Sequence, residues 1–516
     1  MGEQTEQTDR YGAPEGFRFF LNSNFFTGKI LFLGLLVAQI IATIHIYLSN
    51  TGLFHTLEHI KNAGYLTIPN DNVIKSLLEF GPAFYGGLFF SLSTGALLSL
   101  LGLVSAFIWV QFFKRKKPLL IPFLILWAGL IGAVNINGFC PVITIYFLFI
   151  PSIVFIAVSR WMPSVQYNKN GSLSLMIRII PVFLIAILWI LQMNNGMFTN
   201  IRDYLLLSNS PGIKVNNFYY LYTLYPAEAI KSLEQKLIKT YRLDNLSDDY
   251  ISDQIKKKLI NCDYIEVKEN AAVDLTIEEQ NNSLNIGDKG KIILTVSTGD
   301  FLSNTESRLK EFSSRIDRLN FFRLFTYISL LTGFPAIMII LFYSILGAIL
   351  NLYFNYRRSC TISLYLCLTA AVLLSAFFYH VSGKSIEEEN LPEALRSARW
   401  QDQVTALKII DEKKMDISRF RNYREMLSST HIPVRYWLAK VLGTTGFHDS
   451  YNDLLILMDD QCPNVVCMAY SSLGQRGDKS AISKILKRIQ LSDHWYEQLY
   501  AYKALRALGW KQPVSN

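Results

Sequence analysis

Asp, Glu, Lys and Arg are missing from six long stretches of this 516-residue chain: 30–48, 81–113, 118–159, 179–200, 324–356 and 359–383. A bilayer core about 30 Å thick takes about 20 apolar residues per helix, and each unpaired charge inside it costs kilocalories. A soluble protein scatters charge through such windows, so their emptiness predicts a membrane protein. The span cores hold no charged residue, only Gln39 and scattered Ser and Thr. That lack of buried ionisable groups argues against an ion-coupled carrier or pump. There is no P-loop and no Ser-His-Asp pattern in recognisable context. Cysteine is scarce as well. Cys140, Cys262, Cys360, Cys367, Cys462 and Cys467 are irregularly spaced and form neither a disulfide framework nor a zinc ligand set.

What remains is uneven. Residues 1–29 are a polar head, 30–200 and 320–383 are membrane-like, and 201–319 and 384–516 have ordinary soluble composition. The +9 net charge sits largely in short loops beside apolar runs, so no nucleic-acid partner is expected. No small-x-small cleavage site follows the first run, which therefore reads as an uncleaved anchor.

The run 118–159 is too long for one helix, and Asn135-Ile-Asn137-Gly138-Phe-Cys140-Pro141 supplies a turn at its centre. It predicts a hairpin of helices over 118–134 and 141–159, making seven spans. The runs 81–113 and 324–356 read as single tilted helices, the second kinked at Pro335, with a re-entrant break at Gly333–Pro335 as the alternative. Basic clusters Lys114–Lys117, Arg160/Lys169/Arg178 and Arg357-Arg358 fall in alternate loops, as do Arg10, Arg18 and Lys29. The positive-inside rule then predicts a cytoplasmic N-terminus in a plasma (bacterial inner) membrane. Loops 49–80 and 201–319 and the C-terminal domain follow as extracytoplasmic.

The segment 201–319 predicts a small α+β domain. Ala227–Tyr241 has apolar residues at helical spacing. Residues 264–268, 273–277 and 291–296 read as strands of a small antiparallel sheet, with Asn285, Gly287 and Gly290 as turn residues. Ser303–Asn320 reads as a helix running directly into the sixth span, and Ile201–Leu207 as a helix near the membrane surface. The aromatic run Phe218, Tyr219, Tyr220, Tyr222 and Tyr225 fits either headgroup depth or the core of the small domain.

The C-terminal part repeats itself. Val434-Arg435-Tyr-Trp-Leu-Ala439-Lys-Val-Leu442-Gly443 is echoed by Val465–Gly474 and by Tyr500–Gly509. The Leu-Gly pairs recur after 31 and then 35 residues. Each Gly is expected to end a helix in a left-handed cap, Pro433 and Pro463 to start one, and Lys479–Gln490 to form a second helix packed back on the first. With Asp459-Asp460, Pro463, Val465, Ala469, Leu473-Gly474, Gly477-Asp478 and Ile482, this resembles the short HEAT-like repeats of phycobilisome-lyase-type proteins over about 430–510. The resemblance implies an α-solenoid that binds another protein, with no catalytic residues. Residues 385–428 are expected to supply a capping pair.

Candidate sites follow. His55-Thr-Leu-Glu58-His59 puts His55 and His59 one helical turn apart, a spacing that binds zinc in inverted zincins. With His45 and His380 near the same membrane face, a zinc or haem site is the rival expectation; no cofactor is the main one. Gly87, Ser91, Gly95 and Ser99 form a small-residue stripe, read either as packing within the chain or as a homo-oligomer interface. Asn135, Asn137 and Cys140 make a polar turn. Arg435, Tyr436, Tyr470, Tyr500 and Arg506 are of the types found at binding hot spots. The expectation is a mainly α membrane protein with seven spans, a small α+β domain and a C-terminal solenoid. Its partners are the bilayer and a protein docked non-catalytically on the repeats, with a membrane enzyme or permease as the alternative.

Overall fold

The computed structural model describes residues 15–162 and 195–513, apart from 247, 268–271, 281–282, 383–385, 421, 445 and 447–448. Six of its helices are long and apolar enough to cross a membrane: Phe26–Asn62, Phe80–Gln111, Lys117–Val134, Pro141–Trp161, Asn320–Leu350 and Arg358–Ala376. The first belongs to α1 (Glu15–Asn62) and the next three are α2, α3 and α4 in chain order. The expected fifth span, 179–200, lies mostly outside the described residues. The α3–α4 hairpin turns at Asn135–Cys140 as the Asn, Gly and Pro predict, and Asn135 closes the turn. Its amide donates to the Ile131 carbonyl at 2.8 Å and accepts from the Cys140 N–H at 2.9 Å.

The spans form an inner group and an outer group. Within the most apolar windows of α1, α2 and α4, 44, 56 and 50% of residues are buried, against 11, 17 and 22% for α3 and the last two helices. Small residues allow the inner contact. A Cβ on Gly102 of α2 would meet the Pro151 carbonyl of α4 at 2.8 Å, and one on Gly87 would meet the Thr43 backbone of α1 at 3.1 Å.

Several expectations change. The predicted loop 49–80 begins as helix, because α1 continues to Asn62; from Phe26 it is 37 residues, about 55 Å at 1.5 Å per residue. Both long runs are continuous helices, each containing a π turn, Ser91–Gly95 and Ser329–Gly333. Pro335 has no N–H to return to the preceding turn, and the helix widens just before it. The first π turn meets the helical stretch just before the second, with the Thr94 and Thr326 hydroxyls 2.9 Å apart.

Beyond the membrane helices, α5 (Asn195–Asn200) runs into a π turn, Ile201–Leu206, followed by α6 (Ser210–Tyr222) and α7 (Leu224–Ile230). The α+β part follows as β1 (Lys239–Asp244), α8 (Asp249–Asn261), β2 (Tyr264–Glu266), β3 (Leu275–Gln280), β4 (Ser283–Asp288), β5 (Lys291–Ser297) and α9 (Thr305–Ile316). Its sheet has the order β2-β1-β3-β4-β5. It is mixed, not antiparallel: β1 runs parallel to β2 and β3, and the other pairs are antiparallel. Parallel neighbours need a crossover, which α8 supplies between β1 and β2. The helix expected over Ala227–Tyr241 ends at Ile230, and its last residues, Lys239–Tyr241, open β1. Of the residues read as a turn, Asn285 and Gly287 lie in β4, with a bulge at Ile286/Gly287, whereas Gly290 makes the β4–β5 turn at positive φ. Helix α9 also stops at Ile316, three residues before α10 (Asn320–Leu350) begins, so it does not run into the span.

After α11 (Tyr356–Ser382) come α12 (Trp400–Glu412), α13 (Ile432–Leu442), α14 (Asp449–Leu457), α15 (Pro463–Arg476), α16 (Ala481–Leu491) and α17 (Trp495–Ala507). Helices α12, α13, α15 and α17 stack in sequence, and α14 and α16 lie between them. Pro433 and Pro463 start α13 and α15 as expected. The Leu-Gly glycines do not all cap. Gly443 is right-handed and Gly474 lies inside α15, whereas Gly477 and Gly509 adopt positive φ. Close packing explains the first two. A Cβ on Gly443 would meet Ser472 of the next repeat at 2.8 Å, and one on Gly474 would meet Ala504 Cα at 3.1 Å.

Candidate functional site: the seam between membrane helices and repeats

The face built by α12, α13, α15 and α17 is occupied by the chain's own segments, in four polar anchors.

The first anchor is a buried carboxylate. Asp203, in the π turn after α5, has no exposure. Lys408 Nζ of α12 lies 2.9 Å from its Oδ2, Trp437 Nε1 of α13 donates to the same oxygen at 2.9 Å, and Arg202 donates to Oδ1 at 2.8 and 2.7 Å. A carboxylate away from water needs such compensation, and here both oxygens have it. The Arg202 guanidinium is also stacked 3.7 Å over the Tyr436 ring. Burial pushes the Tyr436 hydroxyl above its ordinary pKa, with Arg202 opposing. Tyr204, also desolvated and beside Asp203, is pushed up to about 12. Both phenols therefore stay neutral.

The second anchor joins α6 to α15 and α17. Asn216 and Asn464 exchange amide hydrogen bonds at 2.7 and 3.3 Å, and Asn464 also donates to Tyr220 Oη at 3.0 Å. Tyr220 packs on Tyr496 with centroids 4.7 Å apart, and Thr223 reaches the Tyr496 hydroxyl at 2.9 Å. The third anchor is Asn70, just beyond the end of α1. Its backbone N–H donates to Gln498 Oε1 at 2.8 Å, its amide donates to the Ile489 and Ser492 carbonyls at 2.7 and 3.0 Å, and Gln498 donates back at 2.9 Å. Gln512 doubles this contact by pairing with both the N–H and the carbonyl of Leu66. In the fourth, Asp263 of the α8–β2 turn accepts from Tyr502 at 2.7 Å and pairs with Arg506 at 2.9 Å.

The candidate hot-spot residues are placed as follows. Tyr436 and Arg506 belong to these anchors. Arg435 binds Asp460 within the repeats, Nη2 to Oδ1 at 3.1 Å. Tyr470 is fully buried in the repeat core, and Tyr500 is half-buried beside the seam. The aromatic run Phe218–Tyr225 lies neither in the α+β core nor apart from protein; it fills the gap between α2 and the last repeat. Tyr225 packs edge-on to Trp495 at 5.1 Å, and Tyr222 lies 4.8 Å from Tyr85 of α2. Sequence reading missed Asp203, Asn70, Asn216, Asn464 and Gln498. The one available signal was Asp203, a lone carboxylate among Ile201, Leu205, Leu206 and Leu207.

Other candidates lie apart from the seam. His55, Glu58 and His59 are exposed on the extension of α1, with His55 Nδ1 3.7 Å from Glu58. His45 is in the bundle interior, 3.3 Å from the Tyr146 hydroxyl and stacked on Phe90. His380 lies on α11. Among the described residues no group of three or more His, Cys, Asp or Glu is arranged to hold a metal. The stripe Gly87, Ser91, Gly95 and Ser99 packs against α1, where Ser91 donates to Gln39 Oε1 at 2.6 Å. In the polar turn, the Asn137 amide donates to the Asp317 carbonyl at 3.3 Å, tying the hairpin to the start of α10. Cys140, half-buried, has its thiol pushed up mainly by burial.

No curated protein and no solved structure matches this chain. A family model of HEAT repeats matches residues 423–506, from just before α13 to the end of α17. Residues 423–506 are therefore built of HEAT repeats.

Proposed function

We propose that this protein is a seven-span scaffold of the plasma (bacterial inner) membrane whose HEAT repeats hold a partner protein at the extracytoplasmic surface, without catalysis. In this reading the N-terminus is cytoplasmic. The family match supports a protein-binding module, because HEAT repeats carry protein–protein contacts. The observation that carries the reading is the division of the module into two faces. The face of α12, α13, α15 and α17 is committed to the chain itself. The second helices, α14 and α16, turn outward and expose Ile456, Lys484, Lys487 and Leu491. Apolar side chains beside cationic ones suit a partner with an acidic-rimmed apolar patch. This moves the proposed partner surface from Arg435, Tyr436, Tyr470, Tyr500 and Arg506 to the opposite side of the solenoid.

The test is chemical crosslinking in intact cells followed by affinity capture of the full-length chain, native and with Lys484→Glu plus Lys487→Glu. A partner captured by the native chain is expected to fall about tenfold with the charge reversal, the scale of losing 1.4 kcal/mol. Unchanged capture overturns the proposed face. Reporter fusions at Asn516 check the side of the membrane.

A further inference from the structure

Helix α6 has two faces of opposite commitment. One carries Asn216 and Tyr220 and is fastened to the repeats. The other carries Val215, Phe218 and Leu221, exposed by 58, 39 and 50%, with Tyr219, 51% exposed, at its border where the ring also stacks 6.3 Å from Tyr496 of α17. Val215, Phe218 and Tyr219 stand at i, i+3 and i+4, so they form one stripe along the helix. The stripe does not end with the helix. Phe218 lies 5.6 Å from Tyr85, which belongs to the membrane-crossing helix α2 and is itself exposed.

The height of this contact can be fixed from the bundle. His45 of α1, Phe90 of α2 and Tyr146 of α4 touch one another and share one level. Five residues toward the repeats, about 7.5 Å along each helix, bring Asn50, Tyr85 and Pro141. Pro141 is where α4 begins after the polar hairpin turn Asn135–Cys140. Tyr85 therefore stands at the margin of the apolar slab, the depth at which aromatic residues ring membrane proteins. We infer that α6 is an interfacial helix, its exposed apolar face set in the headgroup–acyl boundary of the bilayer and its other face holding the HEAT module. An apolar stripe of this kind, continuous with a lipid-facing helix, needs no protein to cover it. The repeats are then held to the membrane through a layer that contacts both.

The inference rests on the membrane reading, and the test separates the two. Full-length protein is placed in nanodiscs of phosphatidylcholine and phosphatidylglycerol with single added cysteines bearing a nitrobenzoxadiazole dye. The sites are Val215→Cys, Tyr219→Cys, Ile125→Cys in mid-α3 and Lys484→Cys on α16; the parent chain, labelled alike, gives the background of native cysteines. Nitroxide lipids quench from within the bilayer and iodide quenches from water. Positions 215 and 219 are expected to be quenched at least about threefold more by a shallow nitroxide than by iodide, as insertion of about 5–10 Å requires. Ile125→Cys should respond to a deep nitroxide and Lys484→Cys to iodide. If 215 and 219 follow Lys484→Cys while Ile125→Cys still responds to lipid, the interfacial placement is overturned and the membrane reading stands. Shielding of 215 and 219 from both quenchers also overturns it, because a protein then covers the face. If Ile125→Cys does not respond to lipid, both fall.

Discussion

Replacing Asp203 by Ala should loosen the repeats from the membrane helices more than any other single truncation in the seam. The carboxylate is fully buried, whereas the side chains of Arg202 and Lys408 are 22% and 26% exposed. Both cations can therefore recover water once their partner is gone, which puts the loss at the lower end of that for a broken buried pair, about 3 kcal/mol. Part of this is the Trp437 N–H, left without its acceptor in a buried site, at about 1–3 kcal/mol. Asp203→Asn keeps an oxygen for Trp437 and should cost about 1–2 kcal/mol. Lys408→Met leaves Asp203 with Arg202 and Trp437 and should cost about 2 kcal/mol. The double variant should couple by at least about 1 kcal/mol, because both changes remove the same contact. Tryptophan emission of the purified full chain during denaturation is the assay, since Trp437 and Trp400 flank the site and report its opening. At about 1.4 kcal/mol per decade, Asp203→Ala should raise the open population by about a hundredfold. A variant within about 0.5 kcal/mol of native, with additive effects, would refute the claim that this carboxylate fastens the module.

Asn464→Ala strands the Asn216 amide and the Tyr220 hydroxyl and should lower stability by about 1–3 kcal/mol, read from the same denaturation curves. Gly443→Ala and Gly474→Ala force a methyl against Ser472 and Ala504; each should cost about 1–3 kcal/mol, while Gly446→Ala, with open space at that position, should leave packing unchanged. His494 is half-buried in the seam, and that loss of water lowers its pKa below 6.5. The unfolded chain therefore binds the proton first. Stability contributed by the neutral ring is present above pH 6.5 and lost as pH falls through the depressed value, and His494→Gln should flatten that decline in pH-resolved melting.

The parts of the fold legible in the sequence are those decided by neighbours along the chain. Absence of charge marks each apolar helix, and Asn135 through Pro141 mark the hairpin turn because side chain and backbone bond locally there. The repeat was legible for the same reason, although its glycines serve a distant contact as well as a local cap. What the sequence hid depends on partners far away. Ile230, Leu233, Leu237 and Ile238 fit a helical period, yet Lys239–Asp244 becomes a strand because β2 and β3 pair on its two sides. Gly287 looked like a turn residue, but it sits in a bulge where a Cβ would strike Thr276 Oγ1 at 2.7 Å. The seam was hidden most completely. Asp203 and Lys408 are separated by the whole α+β part and two membrane helices, and no local pattern connects a carboxylate to an amine at that distance.

Because one side of the solenoid is sealed by the chain itself, cutting the C-terminal module free would not yield a simple receptor. Severed from residues 66–72 and 201–225, it would present Tyr436, Trp437, Tyr496 and an orphaned Asn464 to water. Such a fragment would cluster with its own copies or adhere to unrelated polypeptides. Ligands fished with that fragment would report the wound left by excision, and only the intact, membrane-inserted molecule offers its native exterior.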